Sequence, residues 1–257
     1  MDLELTGRNF IISGSSRGIG KGIAQVLLEE GARVVLTGRD ERSLNDTFHQ
    51  FNSMFPGCVL KCCGDLTSEE ILDELEEQVK SVWGELHGLV ANAGAVKPIP
   101  EWDIEQDDWD WYFGANLFVA TGFTRRFVPY LVETKGNIIV IGSIAGLEDI
   151  GAPLPYSASK VALTMYAKGL ARKLAEYGIR VNTVAPGNVC FPGGNWDNKK
   201  KAAPERVSQM LEEKVPLKRF GTSEEIGHAA AFLLSNKASF VTGSCFVVDG
   251  GQTLLFS

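Results

Sequence analysis

A chain of 257 residues, 44% of them apolar and 22% charged, has ordinary globular composition, which excludes disordered, collagen-like and coiled-coil classes. At about 150 residues per domain it could form one large domain or two small ones. A net charge of −7 lacks the basic footprint of a nucleic-acid binder, and no apolar run approaches the ~18 residues of a membrane span. Met1-Asp2-Leu3-Glu4-Leu5 has neither the basic nor the apolar region of a secretory leader. Five cysteines without paired CxxC spacing suit a reducing compartment, so a cytoplasmic protein is expected.

Short β-branched runs alternate with longer helical patterns along the chain. Asn9-Phe10-Ile11-Ile12 reads as a buried strand, followed by a glycine-rich turn and a helix over 18–30 that Gly31 ends. A strand over 33–36, a helix over 41–54, a strand over 58–62, a helix over 68–82 and a strand over 87–91 continue the alternation. A long helical stretch covers 104–132, and Asn137-Ile138-Ile139-Val140-Ile141 is the most apolar strand. A helix over 155–177 closes at Gly178 and leads into a strand over 180–184. A Gly/Pro/Asn-rich loop, a charged helix near 204–213, a helix over 223–235 and a strand over 245–248 complete the chain.

Strands buried on both faces and joined by helical crossovers imply a parallel sheet covered on each side. No composition break or internal repeat divides the chain. Residues 1–257 are therefore expected to form a single α/β domain, a Rossmann-type doubly wound parallel β-sheet, with a substrate loop over about 188–215. Such sheets bind ligands beyond the carboxyl ends of their strands, where the strand order reverses.

After the first strand comes Ser13-Gly14-Ser15-Ser16-Arg17-Gly18-Ile19-Gly20. Its G-x3-G-x-G spacing allows a tight turn and close backbone approach to a phosphate at a helix N-terminus. The second strand decides which dinucleotide would fit. An acid at its end would bond the ribose 2′-hydroxyl of NAD, but Gly38 stands there, followed by Arg39. Arg39 and Arg17 suit a 2′-phosphate, because a guanidinium forks to phosphate oxygens. NADP(H) is the expected cofactor, with NAD(H) as the alternative.

Tyr156-Ser157-Ala158-Ser159-Lys160 opens the helix after the fifth strand and puts Tyr156 and Lys160 one turn apart on one face. Ser143 ends that strand on the ligand-binding edge of the sheet. Asn116 lies inside the apolar stretch Phe113-Gly114-Ala115-Asn116-Leu117-Phe118, where a buried amide needs hydrogen-bond partners.

Together these motifs resemble the short-chain dehydrogenase/reductase family over nearly the whole chain. The glycine-rich turn, Asp65-Leu66, Asn92-Ala93-Gly94, Pro186-Gly187 and Val248-Asp249-Gly250-Gly251 follow the family's order, and Asn116, Ser143, Tyr156 and Lys160 match its catalytic tetrad. The resemblance implies a nicotinamide-dependent oxidoreductase, a homotetramer or homodimer, acting on a small carbonyl or alcohol. It also implies that Asp65 and Leu66 contact adenine, Asn92 the adenine-side ribose region and Val189 the nicotinamide carboxamide. Ser13 and Ala91 are mild departures from the pattern. Phe191 is a larger one, because many members place a threonine there that bonds the carboxamide.

A tyrosine pKa near 10 must fall by ~3 units for acid–base work near neutrality, about 4 kcal/mol. One ammonium ~4 Å away at an effective dielectric of ~20 supplies about that much, so the Lys160 charge, helped by the positive ring of oxidised nicotinamide, is adequate. Tyr156 would then exchange a proton with the substrate oxygen while Ser143 holds that oxygen. By the resemblance Lys160 also binds the nicotinamide ribose and Asn116 positions water leading to Lys160.

A cofactor-binding sensor or scaffold would be expected to lack Tyr156, Ser143 or Lys160, and an epimerase would need a larger C-terminal part. Thr134 and Tyr177 stand where carrier-protein reductases tend to place arginines, although Lys135 is adjacent, which lowers the acyl-carrier reading against sugars or small ketones without removing it. Cys58, Cys62 and Cys63 read as strand filling, and no metal is expected, because His49, His87 and His228 are not at ligand spacing. Phe191 and Trp196 are expected to cover the substrate, with Gly193-Gly194 as hinge and Lys199-Lys200-Lys201 as a solvated charge run.

Overall fold

The computed structural model describes residues 1–99 and 102–254. Among the described residues, seven strands form one wholly parallel sheet: β1 (Asn9–Ile12), β2 (Arg33–Gly38), β3 (Val59–Cys63), β4 (Gly88–Ala91), β5 (Asn137–Ile141), β6 (Arg180–Pro186) and β7 (Cys245–Val248). Their order is β3-β2-β1-β4-β5-β6-β7, so the reversal point lies between β1 and β4.

The helices are α1 (Gly18–Glu29), α2 (Glu41–Met54), α3 (Glu69–Val82), α4 (Gln106–Phe113), α5 (Val119–Thr134), α6 (Leu154–Leu174), α7 (Asn195–Ala202), α8 (Pro204–Lys214) and α9 (Ser223–Leu234). Strand alternation divides the core into two layers. Phe10, Ile12, Val34, Leu36 and Ile139 face α1, α2 and α9, while Ile11, Val35, Ile138 and Val140 face α3, α5 and α6. At Gly22 and Gly227 the backbones of α1 and α9 touch, and a Cβ on Gly22 would stand 2.4 Å from Ser223 Cβ.

The structure departs from the sequence reading at three places. The helical stretch expected over 104–132 is interrupted by a turn of π-helix at Gly114–Phe118, a widening that turns the Asn116 side chain inward. The helix expected over 155–177 keeps α geometry only to Leu174 and tightens into a 3-10 turn before Gly178. The loop expected after β6 becomes helical at Asn195, because Asp197 accepts from Gly193 N at 2.8 Å and pairs with Lys201 at 2.7 Å. Among the described residues, no helix is long and apolar enough to cross a membrane.

Candidate active site

The glycine-rich turn is built around excluded side chains. Gly14 and Gly18 have φ of +64° and +59°, which favours glycine. A Cβ on Gly20 would lie 2.4 Å from Gly14 O, and one on Gly14 would lie 3.1 Å from Ala93 Cα. Ser13 Oγ accepts both the Asn92 and Ala93 N–H groups at 2.8 Å, so the hydroxyl retained at this position ties the ends of β1 and β4 together. The Asn92 amide donates to Ser13 O and Gly14 O, each at 2.9 Å. Asn92 thus braces the turn, whatever it offers a ribose. The N-cap of α1, Arg17, makes no side-chain cap bond, which leaves the first N–H groups beside Ile19 for an anion. These residues fit a dinucleotide pyrophosphate.

At the end of β2, Ser16 takes the space that a side chain on Gly38 would need, since a Cβ there would be 3.0 Å from Ser16 Cβ and Oγ. Thr47 fixes Ser16 by donating to its carbonyl at 2.7 Å. Arg39 is exposed and stands 3.5 Å from the Asp65 carboxylate. Asp65 in turn accepts from Thr67 N at 2.9 Å, and this bond, with the Thr67 hydroxyl and Arg39, holds its carboxyl below the usual range against the cost of its partial burial. Leu66 is buried beside it. Arg17 is exposed on the same corner and helps to depress the Asp40 carboxyl, for which the main cause is the hydrogen bond from Ser43.

Across the crevice, Ser143 leaves β5 and Tyr156 and Lys160 rise from the first turns of α6. Lys160 is buried and its Nζ donates to Ile141 O at 3.0 Å, while standing 5.8 Å from the centroid of the Tyr156 ring. A Cβ on Gly94 would lie 2.8 Å from Asn116 Oδ1 and 3.5 Å from Lys160 Nζ, which brings these three residues together. Asn116 is fully buried; it donates to Ala95 O at 2.9 Å and Tyr112 O at 3.0 Å and accepts from Ala95 N at 3.2 Å. Tyr112, which the sequence reading passed over, packs its ring at 6.3 Å and 66° against that of Tyr156. Its signal was its place four residues before Asn116, on the same helix face.

The electrostatics differ from the expected arrangement. Burial pushes the Tyr156 phenol up, its hydrogen bond with Ser143 draws it partly back, and the neighbouring Tyr112 adds to the rise. Burial also pushes Lys160 down to about 8. The ammonium is spent on the Ile141 carbonyl, and for both groups desolvation is the leading cause.

After β6, a Cβ on Gly187 would meet Asp249 Cα at 2.7 Å, so Pro186-Gly187 passes close under the end of β7. Val189 is buried and forms an isolated parallel bridge with Gly221 through the groups of Asn188 and Cys190, which turns its own N–H and C=O the other way. The Phe191 ring lies over the glycine-rich turn, its tip 2.6 Å from where a Cβ on Gly18 would stand. Trp196 packs against Phe220 with ring centroids 5.3 Å apart and carries Lys199 Nζ at 4.6 Å. Lys199 is therefore seated on an indole and Lys201 is ion-paired. Among the described residues, no group of three or more His, Cys, Asp or Glu could hold a metal ion.

The family model described as enoyl-(acyl carrier protein) reductase matches residues 14–253. L-fucose dehydrogenase of Bos taurus is 33% identical over 258 residues, covering 99% of this chain and 92% of its own. L-sorbose reductase of Gluconobacter frateurii, solved with NADPH and L-sorbose, superposes with a TM-score of 0.93 at 30% identity, covering all of both chains. A 7α-hydroxysteroid dehydrogenase, solved with NADH and 7-oxo glycochenodeoxycholic acid, superposes with a TM-score of 0.88 at 31% identity, covering 99% of this chain and 98% of its own.

Proposed function

The chain belongs to the short-chain dehydrogenase/reductase family, and on that premise we propose that it is an NADP(H)-dependent oxidoreductase interconverting a carbonyl group and a secondary alcohol, with Tyr156 as general acid and base. The observation that carries this reading is the convergence of Ser143, Tyr156, Lys160 and Asn116 at the carboxyl edge of β4 and β5, across from the glycine-rich turn.

The nicotinamide, when bound, supplies or accepts the hydride. Gly14, Ser16, Gly18, Ile19 and Gly20 hold its pyrophosphate, Arg17 and Arg39 its 2′-phosphate, and Asp65, Leu66, Asn92, Ala93 and Gly94 line its adenosine half. Pro186, Gly187 and Val189 hold the carboxamide, the last through the main-chain groups its bridge leaves free. In reduction, the Tyr156 hydroxyl gives its proton to the carbonyl oxygen, and in oxidation it takes that proton back. Ser143 holds the same oxygen, beside the Tyr156 phenol. Lys160 binds the nicotinamide ribose. Asn116 steers water towards Lys160 with the Oδ1 lone pair that Ala95 leaves free.

Sugars and polyols are the favoured substrate class, supported by the relatives named for L-fucose and L-sorbose. The name of the matched family favours acyl carriers instead. Against that, Thr134 is uncharged and spends its hydroxyl on Leu86 O at 2.6 Å, although Lys135 is adjacent. Residues 188–215 act as a lid over the substrate, with α7 and α8 moving about Gly193 and Trp196 anchoring the closed form on Phe220. The exposed Leu154, Val161 and Met165 of α6, with Phe246 on edge strand β7, support a homotetramer or homodimer.

Purified protein assayed against ketoses, aldoses, small ketones and 3-oxoacyl thioesters, with NADPH and with NADH, tests the reading. Turnover of a sugar or ketone with NADPH preferred is expected. Higher efficiency with NADH would sink the cofactor assignment, and turnover confined to thioesters would sink the substrate class.

A further inference from the structure

The loop that follows β4 is held in a way that the catalytic reading does not require. Tyr112 is fully buried, and a buried phenol needs a partner for its hydroxyl, whereas phenylalanine would fill the same volume without one. Both of its functions go to one residue. The Tyr112 hydroxyl accepts from Lys97 N at 3.1 Å and donates to Lys97 O at 2.5 Å. One helical turn later, the Asn116 amide does the same for Ala95, accepting from its N–H and donating to its C=O.

Ala95 and Lys97 are two residues apart, so in an extended segment they face the same side. Tyr112 and Asn116 are four apart, so on a helix they share a face. Two side chains of one helix face thus stand in for a neighbouring strand, giving the loop a two-rung ladder beyond the end of the sheet. The rungs are joined, because Asn116 also donates to the Tyr112 carbonyl at 3.0 Å. Lys97 is fixed from its other end as well, with Nζ 2.7 Å from Asp108 and 4.8 Å from the Trp111 ring centroid.

The same ring of Tyr112 leans edge-on against Tyr156, and the base of the loop, Gly94, adjoins Lys160. We propose that Tyr112 is a positioning residue for the reaction: its hydroxyl sets the loop over residues 94–97 as a fixed wall of the substrate pocket, and its ring braces Tyr156. This rests on the oxidoreductase reading above for the identity of the pocket. Wall and acid are thereby registered on one side chain, so substrate is presented to Tyr156 at a set depth.

The test separates hydroxyl from ring. Tyr112→Phe keeps the ring and removes both bonds to Lys97. The Lys97 amide is expected to exchange its hydrogen about tenfold faster, with the β4 amides unchanged. With L-sorbose and NADPH as the probe pair, KM is expected to rise about tenfold with kcat within about twofold of the wild type. Binding of NADPH, followed by fluorescence, stays unchanged. Tyr112→Leu, which removes the ring, is expected to lower kcat as well.

Native exchange at Lys97 and native KM in Tyr112→Phe would overturn the proposal, and so would a loss of stability without a change in KM. A wild type inert towards L-sorbose would count against the substrate reading alone; exchange at Lys97 would then decide for or against Tyr112. Should Tyr112→Phe fail to fold, the wild-type amides of Ala95 and Lys97 decide it. Protection supports the ladder, and exchange at the rate of an open loop refutes it.

Discussion

The two ends of the crevice at the β1–β4 reversal are made in opposite ways. On the β1–β2 side, the space is kept by what is missing: Gly14, Gly18 and Gly20 have no side chains where backbone atoms crowd within 2.4–3.1 Å, or where the Phe191 ring lies 2.6 Å away. The arginines there are exposed, with Arg39 resting on Asp65. On the β4–β5–α6 side, buried polar groups are each bonded to main chain, Lys160 to Ile141, Asn116 to Ala95 and Tyr112 to Lys97. On the proposed reading the first side can tolerate exposed charges, because a dianionic 2′-phosphate would bring its own strong field. The second would have to be preorganised if, as proposed, a proton moves there, since misplacement by about 1 Å can cost ~10²-fold in rate.

Substitutions at each side sharpen that contrast, the greatest effect being on chemistry. Tyr156→Phe is expected to lower kcat about 10³-fold, roughly 4 kcal/mol in the barrier, with cofactor binding and Tm nearly unchanged. Steady-state kinetics beside NADPH titration measures this, and activity within tenfold of the wild type would remove Tyr156 from its role. Gly20→Ala comes next: its Cβ would meet Gly14 O at 2.4 Å. A rigid backbone contact cannot step aside, so a loss of about 2 kcal/mol in urea unfolding is expected, with weaker dinucleotide binding. A variant as stable as the wild type would show the turn to be more compliant than described.

Arg39→Leu tests the exposed side. Because the guanidinium is largely solvated, its bond to a 2′-phosphate is worth only about 1.4 kcal/mol, a tenfold loss of kcat/KM with NADPH. Efficiency with NADH should hold. Equal losses with both cofactors would show that Arg39 acts elsewhere, for instance through Asp65.

The smallest effect reads the buried side through stability. Lys160, pushed down to about 8 from an ordinary 10.5, is disfavoured as an ammonium in the folded state. Below pH 8 it is charged both folded and unfolded, so the full burial cost applies. Between about 8 and 10.5 the folded chain sheds the proton first, and stability recovers as pH rises. Lys160→Met removes roughly 3 kcal/mol of that cost and loses a charged hydrogen bond worth about 2, leaving a gain near 1 kcal/mol, or about 2–3 °C in Tm. The gain should be present at pH 7, pass through zero as the wild type sheds its burial cost, and turn into a loss by pH 10.5, where only the missing bond to Ile141 remains, as scanning calorimetry across that range would record. A variant less stable at pH 7 would mean that the Ile141 bond outweighs burial.

Local pattern by itself determined the alternation of strands and helices, the parallel sheet and the glycine-rich turn. These follow from periodicity, β-branching and the steric freedom of glycine, which act over a few residues. It also placed Ser143, Tyr156 and Lys160 at one edge, because a parallel sheet sends every strand's carboxyl end to the same side. What only the tertiary structure decided is where each polar group spends its bonds. Asn92 is bound to the carbonyls of Ser13 and Gly14, Asn116 and Tyr112 hold a loop, and Ser16 fills the space beside Gly38. The π-turn at Gly114–Phe118 and helix α7 escaped the pattern for the same reason. Each is fixed by contacts between particular atoms, Asn116 with Ala95 and Asp197 with Gly193, that hydrophobic periodicity does not encode. The phenol of Tyr156 and the ammonium of Lys160 make the point most sharply, since their spacing was visible but their burial was not, and burial governs both pKa values.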